Sequence, residues 1–527
     1  MYKILITDPL SDQGIEKLLQ AEDVEVVRKT GLSPEELLLE IESADALLVR
    51  SQTQVTAEVI EKASRLKVIA RAGVGVDNID VPAATKKGII VVNAPDGNTI
   101  STAEHTFAML ISLSRNIPQA YLSLTQGEWR RKDFVGVELN GKTLSIIGLG
   151  RIGAELSKRA KAFRMQVVAF DPYLTEERAE KLGVKKASLE EAIRLGDYIT
   201  VHTPLTKETR NLIDREQFAI MKDGVRILNC ARGGIINEEA LYDAIQSGKV
   251  AGAALDVFVT EPPGAHPLLT LPQVIATPHL GASTIEAQEN VAIDVSEEVL
   301  HILRGQPFKN AVNLPSIPAE LQQKLQPYQA LAEKLGQFVG QIAKGATEKI
   351  TVSYAGEIAE LEISPLTRTI LKGVLSSHLS DVNYINAPHL AKQRGIQIVE
   401  QKTSQTYGFT QLIKVEIQTK QETRSAAGTL LNGFGSRITK IDDFSVDVTP
   451  KGHLLFIHHR DQPGAIGRVG TVLGNHGVNI ATMQVGRQQL GGQAIMVLRI
   501  DKPITSDVAS TLKQMEEIQS VTEIDLR

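Results

Sequence analysis

The sequence predicts an α/β protein: two facing, doubly wound parallel-sheet domains, then an α+β domain and a small βαββαβ unit. Three observations predict it. Between Leu144 and His279, six short hydrophobic runs alternate with helical lengths of chain, the pattern of βαβ units around a parallel sheet. The runs stop at residues with chemistry in or beside them, among them Gly148, Asp171, His202, Cys230, Asp256 and His279, and in such sheets ligands bind beyond the carboxyl ends of the strands. At 527 residues the chain is long enough for several cores.

Composition removes several function classes. Charged residues are 23% of the chain, and the net charge of −5 has both signs interspersed, so the basic stripe of a nucleic-acid binder is missing. The single cysteine, Cys230, excludes an internal disulfide framework, and no Cys/His group has zinc-ligand spacing, so no metal is expected. Met1 to Thr7 reads as a first strand and not as a signal peptide, and no apolar run has membrane-spanning length. The expectation is a cytoplasmic protein with neither nucleic acid nor membrane as partner.

Taken in order, residues 1–98 hold candidate strands at Lys3 to Thr7, Val24 to Val27, Ala46 to Val49, Val68 to Ala70 and Ile89 to Val92. Ser33 can cap the amphipathic stretch to Ile41, with Pro34 at its first helical position. Ser101 to Leu113 reads as a buried helix, followed by a polar loop, Gly127 to Lys132, that holds the only tryptophan. The second domain runs over 99–283. A long helix from Ser283 to Leu303 returns the chain, so that 284–314 completes the first domain. Pro307, Pro315 and Pro318 mark a linker. The third domain, 315–450, mixes a helix over Ala319 to Ala343 and another over Leu366 to Leu379 with strands at Lys349 to Tyr354, Leu412 to Thr419 and Ser436 to Ile441. The last, 451–527, fits βαββαβ from Leu454 to Asp525.

The chemistry concentrates in two places. Gly148-x-Gly150-x-x-Gly153 sits between a strand and a helix, where glycines permit a tight turn and let backbone N–H groups approach a pyrophosphate. Asp171 ends the next strand, where a carboxylate takes ribose hydroxyls and repels a 2′-phosphate, which favours NAD over NADP. Arg232, Glu261 and His279 form the second group. Hydride transfer needs a base for the hydroxyl proton, a carboxylate beside a histidine favours its imidazolium, and an arginine holds a carboxylate by two parallel bonds. Two readings stand for Asp256, a contact on the nicotinamide side or an N-cap. His202 and Thr203 either line the cofactor or merely end a strand. Cys230 has no thiolate-activating partner, so its backbone is the expected contact. Arg50, Ser51, Arg71, Gly73 and Asn98 follow strands of the first domain and suit a second negative group on the substrate, such as a phosphate. Arg130-Arg131-Lys132 is a solvated loop or an oligomer contact.

These motifs, with Cys230 to Gly234, Asp256-Val257-Phe258, Glu261-Pro262-Pro263 and Pro278 to Thr284, resemble the D-isomer-specific 2-hydroxyacid dehydrogenase family over residues 1–314. The resemblance implies a Rossmann-type NAD domain facing a flavodoxin-like substrate domain. It also implies substrate binding by Arg232, acid/base work by His279 paired with Glu261, and NAD contacts from Gly148, Gly150, Arg151, Ile152, Gly153, Asp171, Thr203, Cys230, Ala231, Asp256, Gly281 and Ala282. Asp461 to Ile466 and Gly477 to Ile480 resemble an ACT domain, which binds amino acids, with Asp461 and Asn479 as candidate effector contacts. The whole layout implies a homotetramer that oxidises 3-phospho-D-glycerate to 3-phosphooxypyruvate at the entry to L-serine synthesis, with L-serine as a possible effector. The rivals are a dehydrogenase for glyoxylate, hydroxypyruvate or 2-oxoglutarate, and a non-catalytic NADH-sensing protein.

Overall fold

The structure, a computed structural model, describes residues 1–315 and 317–527. The first sheet has five parallel strands in the order Val24–Arg28, Tyr2–Ile6, Ala46–Val49, Val68–Arg71, Ile90–Asn93. Ala46–Val49, Val68–Arg71 and Ile90–Asn93 are short apolar runs buried on both faces, as parallel strands require, while the edge strand Val24–Arg28 buries only Val24. Ser33 caps helix Pro34–Ile41, its hydroxyl accepting the Glu36 N–H while Glu36 reaches back to the Ser33 N–H. Helix Ile285–Leu303, capped by Thr284, lays Val291, Val295, Val299 and Leu303 on Ile4, Ile6, Val68 and Ala70.

The chain therefore passes between the first two domains twice, before Thr99 and again near Thr284. The two passages touch, Ser101 Oγ lying 2.7 Å from Thr284 Oγ1. The proline-marked linker is more ordered than its composition suggests. Val312 N–H donates to the Val91 carbonyl (2.7 Å) and Asn93 N–H to the Asn310 carbonyl (3.3 Å), so 310–313 lines the edge of the first sheet.

The second sheet is also parallel and has seven strands, ordered Val274–Ala276, Val250–Leu255, Val225–Asn229, Tyr198–Val201, Thr143–Ile147, Gln166–Phe170, Lys185–Lys186. Six correspond to the hydrophobic runs. The seventh is two exposed lysines at the edge, with no apolar signal to announce it. Helix Thr99–Arg115 extends beyond the expected 101–113 at both ends.

The C-terminal half contains a six-stranded mixed sheet, ordered Gln397–Thr403, Thr347–Gly356, Gln411–Thr419, Thr423–Leu431, Gly435–Ile441, Phe444–Val448. It also contains the four-stranded antiparallel sheet of the last unit, ordered Ile480–Arg487, Gln493–Ile500, Gly452–Arg460, Ile518–Leu526. One hydrophobic core joins the two sheets. Leu335 and Phe338 of helix Ala319–Ile342 pack with Leu454, Phe456, Val497 and Leu526, and the rings of Phe338 and Phe456 meet edge-on at 6.1 Å. Helix Ser364–Ser376 runs alongside that first helix, and a Cβ at Gly336 would stand 2.3 Å from the Ile370 carbonyl, so the glycine sets the approach. At the rim Arg424, 11% exposed, bonds Asp442 (2.9 Å) and His458 (3.0 Å) and covers the Phe456 ring.

Candidate active site

Both parallel sheets turn their carboxyl ends toward one cleft of about 890 Å³. Ten of the residues singled out in the sequence line it: Arg50, Ser51, Arg71, Gly73 and Asn98 from the first domain, and Arg232, Asp256, Glu261, His279 and Ala282 from the second. The Gly148–Gly153 turn, Asp171, Thr203, Cys230, Ala231 and Gly281 are not among its lining residues.

The acid/base pair is built by local turns. His279 sits at φ 55°, a left-handed conformation that throws its side chain out of the strand-to-helix turn. Its Nδ1 lies 2.7 Å from Glu261 Oε2, while Glu261 Oε1 accepts the Phe258 N–H at 3.1 Å. That leaves His279 Nε2 as the free ring nitrogen. Asp256, buried beneath, accepts N–H bonds from Leu280 (2.7 Å) and Gly281 (2.9 Å) and a hydroxyl bond from Thr277 (2.6 Å), with His105 Nε2 at 3.2 Å. Burial pushes the Asp256 carboxyl up, but the bonds from His105, Thr277 and Leu280 outweigh it and hold the group below its usual range. Asp256 caps no helix among the described residues: its carboxylate braces the turn that carries His279, which lies between strand Val274–Ala276 and helix Ile285–Leu303.

Arg232 reaches across the cleft. Its Nε donates to Asp77 of the first domain at 3.2 Å, its Nη1 to the Ala231 carbonyl at 2.7 Å, and its Nη2 lies where a Cβ at Gly75 would stand. Arg71 is largely buried and its Nε has no partner among the described residues. Burial, then the nearby charges of Arg232 and Arg50, pull its guanidinium down to about 10, with Asp77 acting against them. Three arginines that repel one another beside a buried, unpartnered donor make a site suited to a polyanion.

The nucleotide face keeps its own geometry. Gly148, at φ 98°, passes so close to the next strand that a Cβ would meet the His202 carbonyl at 2.6 Å, and a Cβ at Gly153 would meet the Gly148 carbonyl at 2.5 Å. Above Gly150 the space is open. Gly150 caps helix Arg151–Ala162 without a side chain, which leaves the first-turn amides for a ligand. Asp171 accepts the Leu149 N–H at 2.9 Å and so braces the turn. Thr203 Oγ1 and His202 Nδ1 are buried without partners among the described residues, and burial holds His202 neutral, at about 4. Unpartnered amides and an orphan hydroxyl fit a dinucleotide. Arg151 pairs with Asp96 at 2.5 Å. Burial, then Asp256, pushes the Cys230 thiol up to about 12, which removes it as a nucleophile.

Three contributors escaped the sequence reading. Asp8, buried at the end of the first strand, accepts N–H bonds from Arg50 (2.6 Å) and Thr53 (3.1 Å) and so fixes the loop that carries Arg50. Its placement at a strand end before Pro9 was the available signal. Asp77 and His105 gave none beyond their types.

Comparison with known proteins agrees with this geometry. The chain is 49% identical over 527 residues to D-3-phosphoglycerate dehydrogenase of Bacillus subtilis (strain 168), with all of both chains covered. The chain belongs to the D-3-phosphoglycerate dehydrogenase family. The enzyme of that name from Methanocaldococcus jannaschii is 49% identical over 529 residues, again covering both chains fully. Family profiles match in order: D-isomer specific 2-hydroxyacid dehydrogenase, NAD binding domain, over 107–281; D-3-phosphoglycerate dehydrogenase intervening domain over 324–442; ACT domain over 453–517. Among solved structures, D-lactate dehydrogenase from Aquifex aeolicus complexed with NAD and lactic acid is 30% identical, with TM-score 0.53, covering 60% of this chain and 100% of that one. The TT0316 protein from Thermus thermophilus is 37% identical, with TM-score 0.55, covering 59% and 99%. The cofactor of this family's nucleotide domain is NAD.

The ACT domain does not bring its two candidate effector residues together within one chain. Asp461 follows the C-terminal end of strand Gly452–Arg460 and Asn479 precedes strand Ile480–Arg487, which runs the same way two places over, so they stand at opposite ends of the sheet, roughly 25 Å apart. Asp461 accepts from Arg487 (3.1 Å) and Asn479 donates to Asp501 (2.8 Å).

Proposed function

We propose that the cleft oxidises 3-phospho-D-glycerate to 3-phosphooxypyruvate with NAD, the first step of L-serine synthesis. The observation that carries this reading is Arg71, buried and unpartnered, with Arg50 and Arg232 close enough to depress it. A substrate with a phosphate and a carboxylate neutralises all three, whereas a monoanion such as glyoxylate leaves that crowding in place.

Arg50 and Arg71 hold the phosphate, with Ser51, Gly73 and Asn98 around it. Arg232 exchanges Asp77 for the substrate carboxylate. His279 Nε2 takes the C2 hydroxyl proton, and Glu261 fixes the ring through Nδ1 and stabilises the resulting imidazolium. NAD, when bound along Gly148–Gly153 with its ribose on Asp171, supplies the acceptor for the C2 hydride. Closure of the two domains excludes water from the site.

Helix Ile117–Thr125 and the loop after it expose Tyr121, Leu122, Leu124 and Trp129, the last 82% exposed. A second copy covering this patch is the first step to the homotetramer, which light scattering measures. L-Serine binds the ACT domain at Asp461 and at Asn479 of another copy, since one chain separates them, and calorimetric titration with serine tests it. Among the described residues no helix is long and apolar enough to cross a membrane, and the enzyme acts in the cytoplasm.

The deciding assay follows NADH absorbance on adding 3-phosphooxypyruvate. Oxidation much faster than with pyruvate or glyoxylate is expected. Turnover of unphosphorylated 2-oxo acids alone overturns the phosphate site, and NADH binding without turnover of any of them favours a sensing protein.

A further inference from the structure

A second cavity, of about 400 Å³, lies between the first domain and the intervening domain, away from the cleft and from the ACT sheet. One wall is the seam between helices Ala319–Ile342 and Ser364–Ser376, where Lys372 pairs with Glu333 at 2.9 Å. One helical turn nearer the helix starts, Arg368 enters the cavity. The opposite wall is the segment that edges the first sheet, with Phe308, Lys309 and Leu314, and Tyr384 also contributes.

Arg368 and Tyr384 are the unusual members. Arg368 is half-buried, its guanidinium makes no hydrogen bond among the described residues, and burial pulls it down against the charge of Glu400; Tyr384, 39% exposed, lines the mouth of the same cavity. Three cations line the cavity, Lys309, Arg368 and Lys372; Lys372 is paired with Glu333, Glu298 stands near Lys309 and Glu400 acts on Arg368 from outside the lining, while Phe308, Leu314 and Leu325 supply apolar walls. A half-buried guanidinium with no hydrogen-bond partner among the described residues suits an anion, and a planar fork matches a carboxylate. Pockets with apolar walls and a few convergent polar groups are ligand sites by chemistry and shape.

We propose that this cavity binds a small organic carboxylate with an apolar body, its carboxylate on Arg368 and Tyr384, its body against Phe308, Leu314 and Leu325. The site connects to the substrate loop. The Asn310 carbonyl accepts the Asn93 N–H at 3.3 Å, and Asn93 Nδ2 donates to the Val74 carbonyl at 2.5 Å, with Val74 lining the active-site cleft. A ligand that fixes the 308–314 segment therefore biases the loop that carries Arg71 and Asp77.

The probe is benzoate, with benzyl alcohol as the neutral control. It is titrated calorimetrically into the full-length protein held with saturating NADH and 3-phosphoglycerate, a pair that fills the cleft without turnover. Saturable benzoate binding is expected. Arg368→Leu weakens it about tenfold, Tyr384→Phe about threefold, and benzyl alcohol binds at least about tenfold more weakly. In steady state, benzoate shifts the wild-type KM for 3-phosphoglycerate and leaves that of Arg368→Leu unmoved. Absence of saturable heat, or equal affinity in wild type and both variants, overturns the proposal. The Arg368→Leu comparison reads the cavity whatever occupies the cleft, and Tyr384→Phe keeps the test open if the leucine variant fails to fold.

Discussion

The two domains that make the cleft keep their hydrophobic cores to themselves, while the intervening and ACT domains share one. In the first half, one set of clusters stays within the NAD domain and another within the substrate domain and its returning helix, with Ile385, among the described residues, the one buried addition from outside. What passes between them is polar: Arg232 to Asp77 and Arg151 to Asp96. In the second half, Phe338 against Phe456 welds helix to sheet, and Arg424 against His458 joins the two sheets. Exposed ion pairs exchange partners at small cost, and buried aromatic packing does not. The difference assigns motion to the catalytic half and rigidity to the regulatory half. Whatever the ACT domain senses, the intervening domain moves with it as one body. Ile385, packed into the substrate domain's core, fastens that body to the cleft's first wall.

The largest expected effect tests the chemistry. His279→Asn should lower turnover about a thousandfold while NADH still binds, and near-normal turnover would remove His279 from the mechanism. Next, Phe456→Ala should cost about 3–5 kcal/mol, read by calorimetry as one transition of the intervening and ACT domains moving down together. Separate shifts of the two would break the comparison.

Acid should attack the weld as well. Burial, then Arg424, depresses His458 from 6.5 to about 4. An unfolded chain takes up that proton below pH 6.5 and the folded one does not until about pH 4, so stability falls as pH drops through that window, by up to about 3 kcal/mol. His458→Gln should flatten that loss in the C-terminal transition and leave the contribution of His202, in the NAD domain, in place. The smallest effect concerns the polar latch. Asp77→Asn should lower the KM for 3-phosphoglycerate by about twofold to fivefold, because Asp77 competes with substrate for Arg232, and a raised KM would make Asp77 an orienting residue.

The same contrast explains what the sequence disclosed. The cleft and the nucleotide face were legible because reactive residues stand at strand ends: Arg232 and His279 at the cleft, Gly148 and Asp171 on the nucleotide face, each follow an apolar run. The intervening domain was only half legible. Thr423–Leu431 is built on small residues, Ser425 to Thr429, that lack apolar alternation, and Gln397–Thr403 is a polar edge strand. Helix Ala387–Gln393 is too short to show a period. Asp8 and Asp77 act through contacts made by distant segments, which no local pattern reports. Asp461 and Asn479 each fit their motif, but only topology shows that they face opposite ends of one sheet.

The paired passages of the chain near Thr99 and Thr284, joined by the Ser101–Thr284 bond, have a mechanical consequence. A single tether would let the NAD domain swivel in three directions. Two tethers held side by side define a line, and rotation about that line is the motion that stretches neither. Opening and closing thus reduce to one angular coordinate, along which His279 meets the substrate-domain arginines in the same register on every cycle.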